Sequence, residues 1–317
     1  MVAYYVKRMI YIAVGVIVCG FLGIEVSKYW SQLDITQLEI NYYYLIFVSM
    51  MLLSYYVINS FIWVKILNGC GEDIDWKKGL IIHNYSQAAK YLPGGMWNVL
   101  GRVYLCTSQG MNLARVTTSI FLEILLNMIA GFIIIVLTGY TVLSLNAYVV
   151  LVMIALILIW FYKPELVIKP ALALYKKWKK EEVSLNVSRK QLIRWTLYFL
   201  AAWLFYSITF YLFITIILNI KVNYVFSIGV LIFSWIVGFI SPIPGGLGVR
   251  EGSMTALLSI QLPYADALLI SLFSRFWLIV VEVVLYVTVF IFARRKNVSL
   301  HRNTDIKLRN RGSEHEL

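Results

Sequence analysis

The sequence predicts an all-α polytopic membrane protein. About six full transmembrane helices and two re-entrant Pro-Gly-Gly hairpins are expected, arranged as an inverted repeat. Three observations lead there. Hydrophobic residues make up 61% of the 317 and charged residues only 14%, where soluble domains carry roughly 25%. Several apolar runs approach the ~20 residues needed to cross a bilayer. Two further apolar stretches are interrupted by YLPGG and PIPGG, and non-helical backbone at membrane depth survives only where protein or a watery cavity satisfies it. A single integral domain is expected over residues 1–293, with no soluble domain of any size.

The elements follow in chain order. A first helix over 9–29 follows Lys7-Arg8; it resembles a signal peptide, but the run is long and lacks a clear A-x-A site, so an uncleaved helix is expected. The loop SQLDITQLEIN (31–41) holds no Lys or Arg and suits the outside. A helix over 42–67 returns to Lys77-Lys78. The interrupted region 79–106 follows, then a helix over 116–138 going out and one over 147–161 coming back to a basic loop, 163–194. A helix over 196–218 goes out, and the second interrupted region is 224–262. The last helix, 265–292, ends inside, because Arg294, Arg295 and Lys296 follow it. The positive-inside rule orders these crossings and makes both termini cytoplasmic. Residues 294–317 form a basic cytoplasmic tail, expected to be disordered near anionic headgroups.

Each interrupted region must then enter and leave on one side, the first from the cytoplasm and the second from outside. Residues 224–240 are long enough to span, so an eight-span count stands beside this one. Repeat A covers about 42–139 and repeat B about 196–292, facing opposite ways. Tyr42 lies 51 residues before Pro93, and Thr196 lies 48 before Pro244.

Charge and cysteine usage exclude other classes. The net charge of +12 reads as topology, because no aromatic-basic nucleic-acid module accompanies it. Cys19, Cys70 and Cys106 lack metal or redox spacing, and His83, His301 and His315 form no ligand cluster. No metal, cofactor or catalytic residue is expected. Glu72, Asp73 and Asp75 read as a solvated turn. There is no G-x-x-x-x-G-K-[ST], so energy, if used, is expected from an ion gradient or a partner.

The candidate site lies at the two interruptions. Pro93 and Pro244 stop the descending half-helices, and Gly94, Gly95, Gly245 and Gly246 allow the turns. The returning half-helices would begin deep in the membrane and present anion-binding N-termini. In the first hairpin His83, Gln87 and Lys90 form a polar stripe, and Asn98 and Arg102 share a face. In the second, Gly248, Arg250 and Glu251 follow the turn. Glu123 and Asn127 share a face of one long helix, and Arg275 and Glu282 of another. Ionisable residues this deep are expensive and functional by default; ion pairs Arg102–Glu123 and Arg275–Glu251 that lock the hairpins are the structural alternative. Trp97 is expected to pack the first tip, while Trp30, Trp76, Trp160, Trp178 and Trp195 suit the membrane interfaces.

KYLPGGMWNVLGR (90–102) and PIPGGLGVREG (242–252) resemble the flippase-like family that includes the membrane region of lysylphosphatidylglycerol synthase. The second motif matches without a gap; the first departs at Trp97 and Asn98. The resemblance spans about residues 11–294. It implies a bacterial or archaeal plasma-membrane protein that moves or presents phospholipids or lipid-linked glycans. The soluble aminoacyl-transfer domain is not expected here, so lipid aminoacylation is not carried over.

The expected function is therefore a lipid flippase, a transporter rather than an enzyme. An anionic headgroup would meet Lys90, Arg102, Arg250 and Arg275, with Glu123, Glu251 and Glu282 balancing charge or carrying coupling protons. Its partners would be a phospholipid or lipid-linked sugar and, in the cell, envelope-glycan biosynthesis proteins. Two alternatives stand: a membrane-embedded transferase acting on a polyprenyl phosphate, and a non-transporting subunit of a polysaccharide assembly complex. Cargo, direction, coupling ion and oligomeric state are not readable from the sequence.

Overall fold

The computed structural model describes residues 41–91, 97–143, 147–166 and 187–295. The expected first helix, the Pro93-Gly94-Gly95 turn, most of the basic loop and the tail beyond Arg295 lie outside the described residues. Every regular element within them is helical. α1 is Tyr42–Gly69 and α2 is Trp76–Gln87, continued by a 3₁₀ turn over Ala88–Tyr91. α3 is Trp97–Thr107, α4 Leu113–Leu143 and α5 Ala147–Tyr162. α6 is Arg189–Leu212, ending in a π turn over Phe213–Ile217. α7 is Tyr224–Ile240, a 3₁₀ turn covers Pro244–Gly246, α8 is Val249–Leu258 and α9 is Tyr264–Arg295.

Short polar side chains start these helices. The Asn41 carboxamide oxygen accepts from the Tyr43 amide at 3.1 Å, Asp75 from the Lys77 amide at 3.1 Å, and Asn223 from the Phe226 amide at 3.1 Å. Ser188 and Gln191 form a reciprocal capping box. Each cap satisfies donors that a helix start otherwise leaves orphaned. The Ser188 box moves the start of α6 ahead of the expected Thr196: Arg189, Lys190 and Arg194 belong to the helix, not to the preceding loop.

Four described helices are long and apolar enough to cross a membrane: Tyr42–Gly69, Leu113–Gly139, Arg189–Ile217 and Tyr264–Arg294. α5, expected as a crossing, has 16 residues, a length of about 24 Å against a hydrocarbon core of ~30 Å. α7 is apolar but is also below full spanning length. The chain is thus a multi-pass helical membrane protein whose described part holds four helices of spanning length.

The element order occurs twice: a long helix, two short helices and a long helix, as α1–α2–α3–α4 and α6–α7–α8–α9. In each unit the short helices pack against each other, and the 88–91 turn of the first unit touches the 244–246 turn of the second. The first pair also begins and ends at one end of the bundle. Glu72, before α2, accepts from the Asn112 amide, after α3, at 3.2 Å, and Arg115 donates to the Gly71 carbonyl at 2.8 Å. Glu72 is therefore a tie between two loops and not a freely solvated turn residue. The main apolar core runs between α1, α4, α6, α7 and α9 and includes Leu52, Leu126, Phe199, Trp203, Phe226 and Val281.

The second turn needs glycine for two separate reasons. Gly245 and Gly246 have φ of 63° and 64°, the left-handed region that side chains disfavour. A Cβ on Gly246 would also fall 2.6 Å from the Gly238 carbonyl oxygen of α7. Gly252, in α8, has nothing within 4 Å of such an atom. Gly246→Ala is expected to cost about 2 kcal/mol or more, whereas Gly252→Ala is neutral or stabilising by up to about 1 kcal/mol. Thermal unfolding of both purified variants in detergent checks this; equal melting temperatures would show that the turn is not held against α7.

Candidate functional site

A cavity of about 410 Å³ opens between the two short-helix pairs, a size suited to a small headgroup. Gln87, Lys90, Asn98 and Arg102 come from the first pair, and Glu123 and Asn127 from α4. Trp235 and Phe239 come from α7, Gly245, Gly246 and Arg250 from the second turn and α8, and Arg275 from α9. Lys90, Arg102, Glu123, Gly245, Gly246, Arg250 and Arg275, half of the site residues expected from sequence, thus meet at one place. Glu251 and Glu282 lie behind the wall, Pro244 and Gly248 belong to the turn itself, and Pro93, Gly94 and Gly95 are outside the described residues.

The first pair is anchored by a buried polar network. Arg102, only 2% exposed, donates through Nη1 to Glu123 and through Nε to Ser86 Oγ at 3.2 Å. Its guanidinium lies 4.9 Å from the Trp63 ring centre. The other Glu123 oxygen is 2.9 Å from His83 Nε2, and His83 Nδ1 is 3.0 Å from Ser60 Oγ. Asn84 donates to the same Ser60 hydroxyl at 2.8 Å. Four helices, α1 to α4, are joined by these contacts. The expected stripe of His83, Gln87 and Lys90 is divided between two environments. His83 turns into the network, while Gln87 and Lys90 line the cavity.

The second pair is anchored by Arg275 and Glu251. Glu251 Oε2 accepts from the Gly248 amide, which caps α8. Its other oxygen lies 3.0 Å from Arg275 Nε, close enough for charge attraction though the N–H is not aimed at it. Arg275 Nη2 donates to the Gly245 carbonyl at 2.8 Å, so α9 holds the turn directly. A bond of 2.7 Å between Thr255 and Ser271 joins α8 to α9 lower down. The free anion-binding N-terminus expected at α8 is thereby occupied by the protein's own carboxylate. Both ion pairs expected from sequence, Arg102–Glu123 and Arg275–Glu251, are present.

A third pair crosses between the units. Lys90, on the 88–91 turn, bonds Glu282 of α9, which also accepts from Tyr56 of α1 at 2.6 Å. Glu282 is 1% exposed and faces these two groups rather than Arg275, with which it shares a helix.

Three carboxylates therefore engage Lys90, Arg102 and Arg275. Arg250 is the cavity cation with no carboxylate partner among the described residues. Its Nη2 donates to the Tyr206 hydroxyl at 3.2 Å, and Tyr206 stacks on Tyr55 with ring centres 4.6 Å apart. Sequence adjacency suggested that Glu251 would counterbalance Arg250. Consecutive helix residues do not share a face, and Glu251 points to Gly248 and Arg275 instead.

The residues that sequence reasoning missed are Tyr56 and Tyr206, Ser60 and Ser86, and Trp235 and Phe239. Tyr56 and Tyr206 lie well inside long apolar helices, and that depth was the available signal: a hydroxyl there needs an internal partner. Trp97, expected to pack the first tip, is 42% exposed.

The Lys90–Glu282 pair yields a test. Removing one member of a fully buried pair costs about 3–5 kcal/mol; here Lys90 is 26% exposed and Glu282 1%, so the cost is smaller, and removing both costs less still. Glu282→Gln is expected to lower the unfolding temperature in detergent, and Lys90→Met with Glu282→Gln to recover part of the loss. Additive losses in a double-mutant cycle would mean that the two side chains do not interact.

The family model described as the lysylphosphatidylglycerol synthase TM region matches residues 8–285, which includes every residue lining the cavity. No curated protein matches the chain. The chain therefore belongs to the family of the lysylphosphatidylglycerol synthase transmembrane region.

Proposed function

We propose that the protein is a lipid translocase. It admits the anionic headgroup of a phospholipid or lipid-linked glycan between the two short-helix pairs while the acyl chains stay in the bilayer. The observation that carries this reading is Arg250: a guanidinium on a cavity wall, held by the Tyr206 hydroxyl and without an ion-pair partner among the described residues. Phosphate suits it, because the planar fork can donate two hydrogen bonds at once. Membership of a lipid-related membrane family supports the cargo class.

The repeated element order supports alternating access, with the two units rocking about the cavity. Lys90–Glu282, which joins the units, would break or re-form in that motion, while Arg102–Glu123 and Arg275–Glu251, which lie within units, would stay closed. The proposed topology puts both termini in the cytoplasm, the first hairpin open to the cytoplasm and the second to the outside of a bacterial or archaeal plasma membrane.

Reconstituted protein with a fluorescent anionic phospholipid checks the activity. Wild type should accelerate transbilayer movement; Arg250→Gln should lose about tenfold or more, and Arg250→Lys should fall between them. Equal rates for wild type and Arg250→Gln would remove the headgroup role. Thiol labelling of single-cysteine variants, after replacing Cys19, Cys70 and Cys106, checks the topology: Ser259→Cys should label from outside and Ser108→Cys only after permeabilisation. Labelling of both from the same side would contradict the inverted arrangement.

A further inference from the structure

Three cavity residues have side-chain amides that take no part in holding the fold. Gln87 at the end of α2, Asn98 on α3 and Asn127 on α4 all line the cavity, and all three are half-buried. Their side-chain amides make no hydrogen bond among the described residues; at Asn127 only the backbone carbonyl is engaged, by Trp203 Nε1 at 3.3 Å. Each amide offers two donors and an acceptor oxygen. They share the cavity with Arg250 and with Trp235 and Phe239, whose stacked rings, 5.4 Å apart between centres, give it apolar lining.

From this juxtaposition we infer that the cavity selects a hydroxyl-rich phosphate ester, such as an inositol or hexose phosphate headgroup, over a bare phosphate or an amine-bearing headgroup. The inference rests on the translocase reading and narrows its cargo. A hydroxyl both donates and accepts, which matches an amide on both counts. A bare phosphate would engage Arg250 and leave three amides without solute partners. An ammonium group would need a carboxylate, and the one on the cavity wall, Glu123, is already held by Arg102 and His83. Aromatic rings bordering the cavity can cover the C–H face of a sugar ring, burying apolar area that a phosphate lacks.

The test titrates full-length protein in detergent with dioctanoyl phosphatidylinositol and dioctanoyl phosphatidic acid, read as ligand-induced thermal stabilisation. Phosphatidic acid carries at least as much negative charge, so tighter binding of the inositol lipid cannot come from charge alone. The inositol lipid should bind about tenfold tighter, the worth of one or two net hydrogen bonds. Asn98→Leu and Asn127→Leu, on different helices, should each cut that ratio severalfold. Equal or tighter binding of phosphatidic acid, or a ratio unchanged in both variants, would overturn the inference. Equal binding that is still lost in Arg250→Gln would leave the headgroup reading standing; binding of neither lipid would remove both. Inositol 1-phosphate as competitor separates sources: competition makes the free polyol phosphate a ligand in itself, and no competition restricts the ligand to the lipid. The polyol preference holds either way.

Discussion

Glu123, Glu251 and Glu282 sit inside a bundle of apolar helices, where a carboxylate without a partner costs several kcal/mol. The fold answers each with a cation from another element: Arg102, Arg275 and Lys90. Because every pair joins two elements, satisfying the charges also fixes where the short helices lie. Broken helices contribute fewer internal hydrogen bonds and less packed surface than full spans, and the pairs supply what their length does not. The cavity is a consequence, since short helices tied at their flanks leave space where they meet.

The two units solve the same problem with the charges exchanged. In the first, the arginine is on the returning short helix and the glutamate on the long helix after it, as Arg102 and Glu123. In the second, the short helix carries Glu251 and the long helix Arg275. Glu251 gains a further role in this arrangement, because it caps α8 through the Gly248 amide, where negative charge is favoured. The exchange leaves Arg250, one residue earlier, outside the ion pairs of the described residues. Neighbours in sequence, Glu251 and Arg250 thus have different hydrogen-bond partners, Gly248 for one and Tyr206 for the other.

Much of the fold was legible. Residues 42–67, 116–138 and 265–292 were readable as helices from hydropathy, and α1, α4 and α9 cover them with a few residues more at some ends. The Pro-Gly-Gly interruptions located the short pairs because proline and glycine break helices for reasons local to themselves. The first residues of α6 were read as loop because Arg189, Lys190 and Arg194 outweighed the Ser188–Gln191 cap. At the site, faces were legible where helix geometry alone decides them, as for Asn98 with Arg102 and Glu123 with Asn127. Partners separated by long stretches were not. Lys90 and Glu282 are 192 residues apart, and nothing local pairs them. The internal hydroxyls of Tyr56 and Tyr206 were hidden because tyrosine is also common at membrane interfaces.

The position of the headgroup tests the central claim most directly. A density map of the full chain in nanodiscs containing an anionic phospholipid would locate it. Phosphate density within hydrogen-bonding reach of the Arg250 guanidinium, between the 88–91 and 244–246 turns, is the expected result. Ordered headgroups found only around the outer surface of the long helices, with the cavity holding water alone, would contradict a headgroup site between the hairpins.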